Sequence, residues 1–296
     1  MQFFTQQSIN GVLLGLVYAL FALGFSLVMA NLKIFHVSHE GVFTWGAMIA
    51  WIMMDKMSMP VLIAAPLMIV AAGLLNVLLY MVLIRHLERR VNRELSGFIS
   101  SLGGLIILVE LSEIILDRQT VRLPFNAFPI HTWELGWIRF SSIQLLIAGV
   151  AIVAFAFMEW LVDRTEIGRE IKAVAYDREV ASLLGVNADW VSAVVFFVSG
   201  AFGAVSALLV AIAFNIINSE LGASFLVLAI AVTVIGGFGS VRGVLVGGLL
   251  VGLVSTYTTG YITSSYREVV VFVVMLVFLV VRPTGLFKVA ESGHRA

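Results

Sequence analysis

Residues 165–187, TEIGREIKAVAYDREVASLLGVN, decide how this chain is to be read. They form a charge-dense, helix-compatible island between long apolar stretches. Charge is costly in hydrocarbon, so the island lies in water. Its arginines and lysine place it on the cytoplasmic side of a membrane. Thr165 is suited to cap a helix, with Glu166 in the favourable first turn. Gly168 and Gly185 bracket a run of good helix formers, in which Ile171, Val174, Val180 and Leu184 intersperse with Arg169, Glu170, Lys172, Asp177, Arg178 and Glu179. The pattern predicts a stubby helix with an apolar face and a charged rim. Amphipathicity alone favours a helix lying on the headgroups over one seated in a groove of a soluble partner.

The rest of the chain reads as membrane. Sixty percent of its 296 residues are hydrophobic and 12% are charged, against about 25% charged in a soluble domain. The expectation is an all-α polytopic membrane protein with about eight or nine transmembrane helices, some short or discontinuous, forming one membrane domain over residues 1–296. The short alternating segments of a barrel are absent. Lys+Arg and Asp+Glu both number 18, so nothing in the charge points to nucleic acid, and without cysteine there is no thiolate chemistry or Cys-ligated metal. The N-terminal stretch lacks a basic n-region and reads as a retained first span.

Spans are expected near 8–30, 39–54, 60–84, 97–116, 141–162, 190–213, 222–238, 243–260 and 267–281. Cationic residues gather between them in three places: Arg85, Arg89, Arg90 and Arg93; Arg164, Arg169, Lys172 and Arg178; Arg282, Lys288 and Arg295. The positive-inside rule puts all three in the cytoplasm, with the water-exposed segment at about 163–189. Residues 117–140, 214–221 and 261–266 then face outside, and Pro124, Pro129, Trp133 and Trp137 suit a headgroup-level loop. Nine crossings leave the N-terminus outside. Two spans are irregular: 39–54 makes only about 24 Å of helix, and 222–238 ends in Ile235-Gly236-Gly237-Phe238-Gly239, which invites a break. Such segments either line a transport pathway or are ordinary tilted helices.

Several strings together resemble one family. In the island these are Thr165-x-x-Gly168-Arg169, Lys172-Ala173-Val174-Ala175, Asp177-Arg178-Glu179-Val180-Ala181 and Leu183-Leu184-Gly185-Val186-Asn187. The glycine-rich VIGGFGSVRGVLVGGLLVGLV, residues 234–254, is similar to the same family, except that Arg242 stands where an uncharged residue or proline is more usual. Arg282-Pro283-Thr284-Gly285-Leu286-Phe287 closes the last span as a physical stop. Asn10-Gly11 with Gly15 to Leu20 is similar to the family's first helix. His39 to Ala47 resembles its second, with His39-Glu40-Gly41 in place of the common His-Gly-Glu. The resemblance is to permease subunits of ABC importers of the branched-chain (hydrophobic) amino acid type.

That resemblance implies a transport subunit in a bacterial inner membrane, not itself an enzyme. No G-x-x-x-x-G-K-[ST] occurs here, so ATP and Mg would be held by two cytoplasmic ATPase subunits. It also implies a second, related permease, as a heterodimer, and a periplasmic substrate-binding protein. Thr165, Gly168, Arg169, Glu170, Lys172, Ala173, Asp177, Arg178, Ala181 and Gly185 would couple to the ATPases. Asn10, Tyr18, His39, Trp45, Ile235, Gly236 and Gly237 would border the route. Gly239, Gly243, Gly247, Gly248 and Gly252, spaced by four in two sets, would pack helices closely. Urea, amides or aromatic acids are alternative solutes.

Two other classes fit the composition. An ion-coupled secondary transporter would use Glu110 and Glu113, one turn apart, although snorkelling or interhelical pairing accounts for them; Glu159 lies near the inner end of its own span. A passive channel would need no coupling helix. His36, His39 and Glu40 are expected in a turn at the cytoplasmic interface rather than on a metal.

Overall fold

The structure, a computed structural model, describes residues 2–87, 92–124, 128, 131–135, 138–282 and 285–287. Expectations placed on Arg89, Arg90, Pro129, Trp137, Pro283, Thr284, Lys288 and Arg295 fall outside these. Among the described residues seven helices are long and apolar enough to cross a membrane. They comprise α1 (Gln2–Leu32), α3 (Val61–Leu79, continued by a π-turn to Ile84), α4 (Arg93–Leu116), α5 (Ser142–Arg164), α8 (Ala188–Phe214), α10 (Val241–Tyr261) and α11 (Arg267–Val281, entered by a 3-10 turn at Ser264–Tyr266). The remaining helices are α2 (His39–Trp51), α6 (Glu166–Tyr176), α7 (Arg178–Leu183) and α9 (Ala223–Gly236).

Helices α1 and α8 are the buried axis of the bundle, and α3, α4, α5 and α11 keep broad apolar faces outward. Such inversion is what lipid permits, since an outward leucine costs nothing there. Closeness at the axis comes from missing side chains. A Cβ on Gly15 would lie 2.6 Å from the Gly248 carbonyl oxygen, and one on Gly248 would lie 2.5 Å from the Ala19 Cβ. Gly252 meets Gly11 and Gly15 in the same seam. On the other face of α10, Gly243 and Gly247 meet Gly236 and Val232 of α9. Gly239 stands apart from these four. It sits in the turn between α9 and α10 at φ 77°, and its N–H donates to Ser26 Oγ at 2.8 Å.

The two short helices explain each other. After α1 the chain turns at Lys33 and residues 33–38 run back among the helices without helical structure, so α2 starts only at His39. His39 there fills the space beside Gly24 and Gly203. At the opposite end, residues 215–222 return after α8 and α9 starts at Ala223. The starts of the two helices touch. The Gly222 N–H donates to Thr44 Oγ1 at 3.2 Å, and a Cβ at Gly222 would strike the Glu40 carbonyl. The irregular spans thus take the form of α2, continued by a π-turn over Ile52–Lys56, and the shorter α9, with their N-termini meeting inside the bundle.

The connections sort to two ends. One end joins Gln6 to Arg139, Ser8 to Tyr257, Val121 to Ile217 and Ser219 to Glu113. The other joins Arg85 and Arg178 to Asp189, Asn31 to Ile171 and Leu286 to Ile235. The described cationic connections gather at the second end, which is therefore the cytoplasmic one. At the outer end the sequence reading missed an antiparallel hairpin, β1 (Thr132–Leu135) with β2 (Ile138–Ser141). The Gly136-Trp137 pair between two β-prone runs was its available signal.

Candidate functional site

The cytoplasmic island is two helices rather than one. Thr165 caps α6 by accepting from the Gly168 N–H at 3.0 Å, and α6 ends at Tyr176. Asp177 leaves helical geometry and caps α7, accepting from the N–H groups of Glu179 and Val180 at 2.9 and 3.0 Å. An aspartate that satisfies two first-turn amides competes with helix continuation, and the break follows. Gly185, at φ 91°, closes α7, with the Val186 N–H donating to the Ala181 carbonyl.

The island's residues divide by what they touch. Gly168, Ile171, Val174 and Ala181 are buried against the bundle. Arg178 is tied down through Asp189 Oδ1 at 2.8 Å and Ser192 Oγ at 2.8 Å, and Arg85 reaches the same aspartate. Lys172 pairs with Asp163 and Arg169 with Glu166 in the open. Ala173 and Glu170 are partly buried. Outward, at the cytoplasmic surface, stand Tyr176, Val180, Leu183 and Leu184, the last two at 86% and 79% exposure. Sequence periodicity assigned Val180 and Leu184 to one face with Ile171 and Val174; the break at Asp177 turns them to opposite sides.

The expected path residues occupy two places. Asn10 and Tyr18 line a cavity of about 790 Å³ at the outer end, between α1, α5, α9, α10 and the 215–222 segment. Asn10 Oδ1 accepts from Gln144 Nε2 at 3.1 Å on its wall. Below Tyr18 an aromatic cluster fills the bundle: Phe225 stacks on Phe43 with centroids 4.8 Å apart, and Phe21 meets Phe43 at 4.9 Å. His39, Trp45, Ile235, Gly236 and Gly237 lie away from this cavity. His39 donates through Nε2 to the Phe21 carbonyl at 3.2 Å and accepts at Nδ1 from Ser199 Oγ at 3.2 Å. Trp45 donates to the Leu108 carbonyl at 2.9 Å. Ile235 and Gly236 accept from Leu286 and Phe287, and Gly237 packs against Gly285.

His36 corrects the expectation of a turn at the cytoplasmic interface. It is 1% exposed, His39 fully buried and Glu40 9% exposed. His36 donates to Asn76 Oδ1 at 2.9 Å, while Ser38 is bonded to Ser101 through both backbone and side chain. These are the groups that satisfy an extended segment inside the bundle, where water is not available. Glu113 pairs with Arg118 at 3.4 Å and accepts from Ser219, and Glu110 is exposed. Glu159 on α5 receives Arg242 of α10 through its Nε at 2.8 Å.

Full-length helices, two inner helices whose N-termini meet at depth, an outer cavity and a capped cytoplasmic helix pair define a multi-span membrane permease. Residues 8–279 match the family described as "Branched-chain amino acid transport system / permease component", and the chain belongs to that family. It is 29% identical to the high-affinity branched-chain amino acid transport system permease protein BraD of Pseudomonas aeruginosa, over 96% of this chain and 95% of that one. It is 28% identical to the corresponding permease LivH of Escherichia coli K12, again over 96% and 95%. A more distant relative is the galactose/methyl galactoside import permease MglC of the same organism, 28% identical over 63% of this chain and 58% of that one.

Proposed function

We propose that this chain is the membrane-spanning subunit of an ATP-driven importer that moves branched-chain or similar hydrophobic amino acids across a bacterial inner membrane. The observation that carries the reading is the α6–α7 pair: capped, pinned to α8 through Arg178, and presenting Tyr176, Val180, Leu183 and Leu184 to the cytoplasm. A partner with an apolar groove can hold that patch and push on it. The relatives named as branched-chain amino acid permeases supply the solute class. Two ATPase subunits would bind ATP and Mg, a second permease would complete the membrane portion, and a periplasmic binding protein would deliver the solute. This chain would provide the route and no ATPase chemistry.

Nucleotide binding would draw the ATPases together and move α6 and α7. The motion reaches the route through α1: Asn31 holds the Ile171 carbonyl of α6, and the same helix carries Asn10 and Tyr18 at the cavity. The test is uptake of labelled leucine by the complete complex in proteoliposomes. Concentrative uptake that stops with a hydrolysis-dead ATPase supports the reading. Undiminished uptake would sink it.

A further inference from the structure

The outer cavity carries charge of both signs, and several of its polar atoms have no partner. Arg267, at the start of α11, lines it with Nε buried and unbonded, its Nη2 lying 3.6 Å from Glu268. Asn218 Oδ1 and Thr256 Oγ1 are likewise buried without a hydrogen bond, and both residues line the same space. Glu220 stands on the wall formed by the 215–222 segment. Buried polar atoms without partners are rare, because each forfeits its hydration. The wall itself brings a guanidinium, Arg267, and a carboxylate, Glu220, to one space, the two charges that a zwitterionic solute answers. The floor, by contrast, is apolar, formed by Val17, Tyr18 and Leu228.

We infer that this cavity is a binding site for a free zwitterionic α-amino acid with an apolar side chain, a way station inside the permease itself. The inference rests on the importer reading above and adds to it a place and a recognition chemistry. Arg267 takes the carboxylate, with the α9 N-terminus at Ser224 lending its positive end. Glu220 takes the ammonium. The side chain rests on Val17 and Leu228. A neutral solute such as a sugar, urea or an amide leaves both charges unanswered, so the site selects against it.

The chain has no cysteine, which makes the test direct. Thr259, on the cavity wall, is replaced by cysteine (Thr259→Cys) in the complete complex in proteoliposomes. The rate of labelling by a membrane-impermeant maleimide is then measured against leucine, isoamylamine and 4-methylpentanoate, with leucine uptake followed in parallel. Leucine should slow labelling, and each single-charge analogue should need a higher concentration. Glu220→Gln or Arg267→Gln should raise the leucine concentration for half-protection about tenfold, the loss expected of one charge-assisted hydrogen bond. Arg267→Lys should recover part of it, which a role confined to folding would not predict.

Uptake without protection by leucine overturns the site and leaves the importer reading standing. Protection without uptake does the reverse. Equal protection by leucine and isoamylamine overturns the assignment of Arg267 to the carboxylate, and equal protection by leucine and 4-methylpentanoate overturns that of Glu220 to the ammonium.

Discussion

Asn31, at the last turn of α1, donates its side-chain amide to the Ile171 carbonyl of α6 at 3.2 Å. Both residues are buried, and the bond joins a helix that lines the outer cavity to the helix pair that faces the cytoplasm. Asn31 Oδ1 has no partner in this arrangement, leaving it free to find one in another. A buried hydrogen bond is worth roughly 1 kcal/mol net, about fivefold in a coupling equilibrium. Asn31→Ala should therefore lower leucine uptake per ATP hydrolysed by about that factor, with the elution profile in detergent unchanged. Unaltered coupling would remove this bond from the transmission path.

Docking is expected to depend on the exposed end of α7 more than on the island's charges. Leu183→Asp together with Leu184→Asp should abolish co-purification of the ATPases, since burying a carboxylate against an apolar groove is not offset by a partner. The variant permease should melt within a few degrees of the parent, because surface substitutions usually stay within about 0.5 kcal/mol. Reversing Arg169 with Glu170→Lys should weaken assembly less, as Arg169 pairs only with Glu166 in solvent. The reverse ranking would make charge the determinant of docking.

The sequence carried the spans because hydrocarbon demands long apolar runs, and it carried the grouping of Arg178 and Arg85 at one end, where both meet Asp189. It carried the α1–α10 seam as far as Gly248 and Gly252, since only small residues tolerate that approach. It could not place His36 and His39. Nothing local distinguishes a histidine at a cytoplasmic turn from one bonded to Asn76 or Ser199, residues far away in the chain. The outer cavity was half legible: Asn10 and Tyr18 stood out as polar groups on a first span, whereas nothing in the sequence set Arg267 and Glu220 apart. The split at Asp177 was within reach, because Asp177 followed by Arg178-Glu179 is a capping pattern. A single amphipathic period obscured it.

The glycine seam separates contact glycines from idle ones. Gly15→Leu or Gly248→Leu must push α1 and α10 apart, and overpacking of this kind costs about 1–3 kcal/mol or more. Gly103 and Gly149 have nothing within 4 Å of an added Cβ, so leucine there should be tolerated. Thermal melts of the four variants in one detergent provide the comparison. Since leucine is the better helix former, equal loss at all four positions would mean that the close contacts of the seam do not set the effect.

Arg242, singled out by the sequence resemblance as a departure, is answered by Glu159 from α5. Glu159→Arg alone should lower the melting temperature by setting two cations side by side. Adding Arg242→Glu should restore it, which a loss of unrelated packing would not permit. Failure of the double variant to recover would show that the pair contributes nothing.

Beneath the cavity, Phe225 stacks on Phe43 and meets Tyr18 edge-on at 5.4 Å and Phe21 at 6.3 Å. These rings separate the outer space from the buried level of His39 and Ser199. A phenylalanine here buries a large apolar surface, and its truncation leaves a hole that neighbouring rings only partly fill. Phe225→Ala should therefore extend the cavity inward. With single cysteines as reporters, Tyr18→Cys should react with an impermeant reagent from outside in the parent chain, because Tyr18 lines the cavity. Ser199→Cys, fully buried beside His39, should be protected in the parent and become reactive once Phe225 is alanine. Ile235→Cys, near the cytoplasmic end under Leu286, should stay protected in both. Equal reactivity of Ser199→Cys with and without Phe225 would show that the aromatic cluster is not what closes the route.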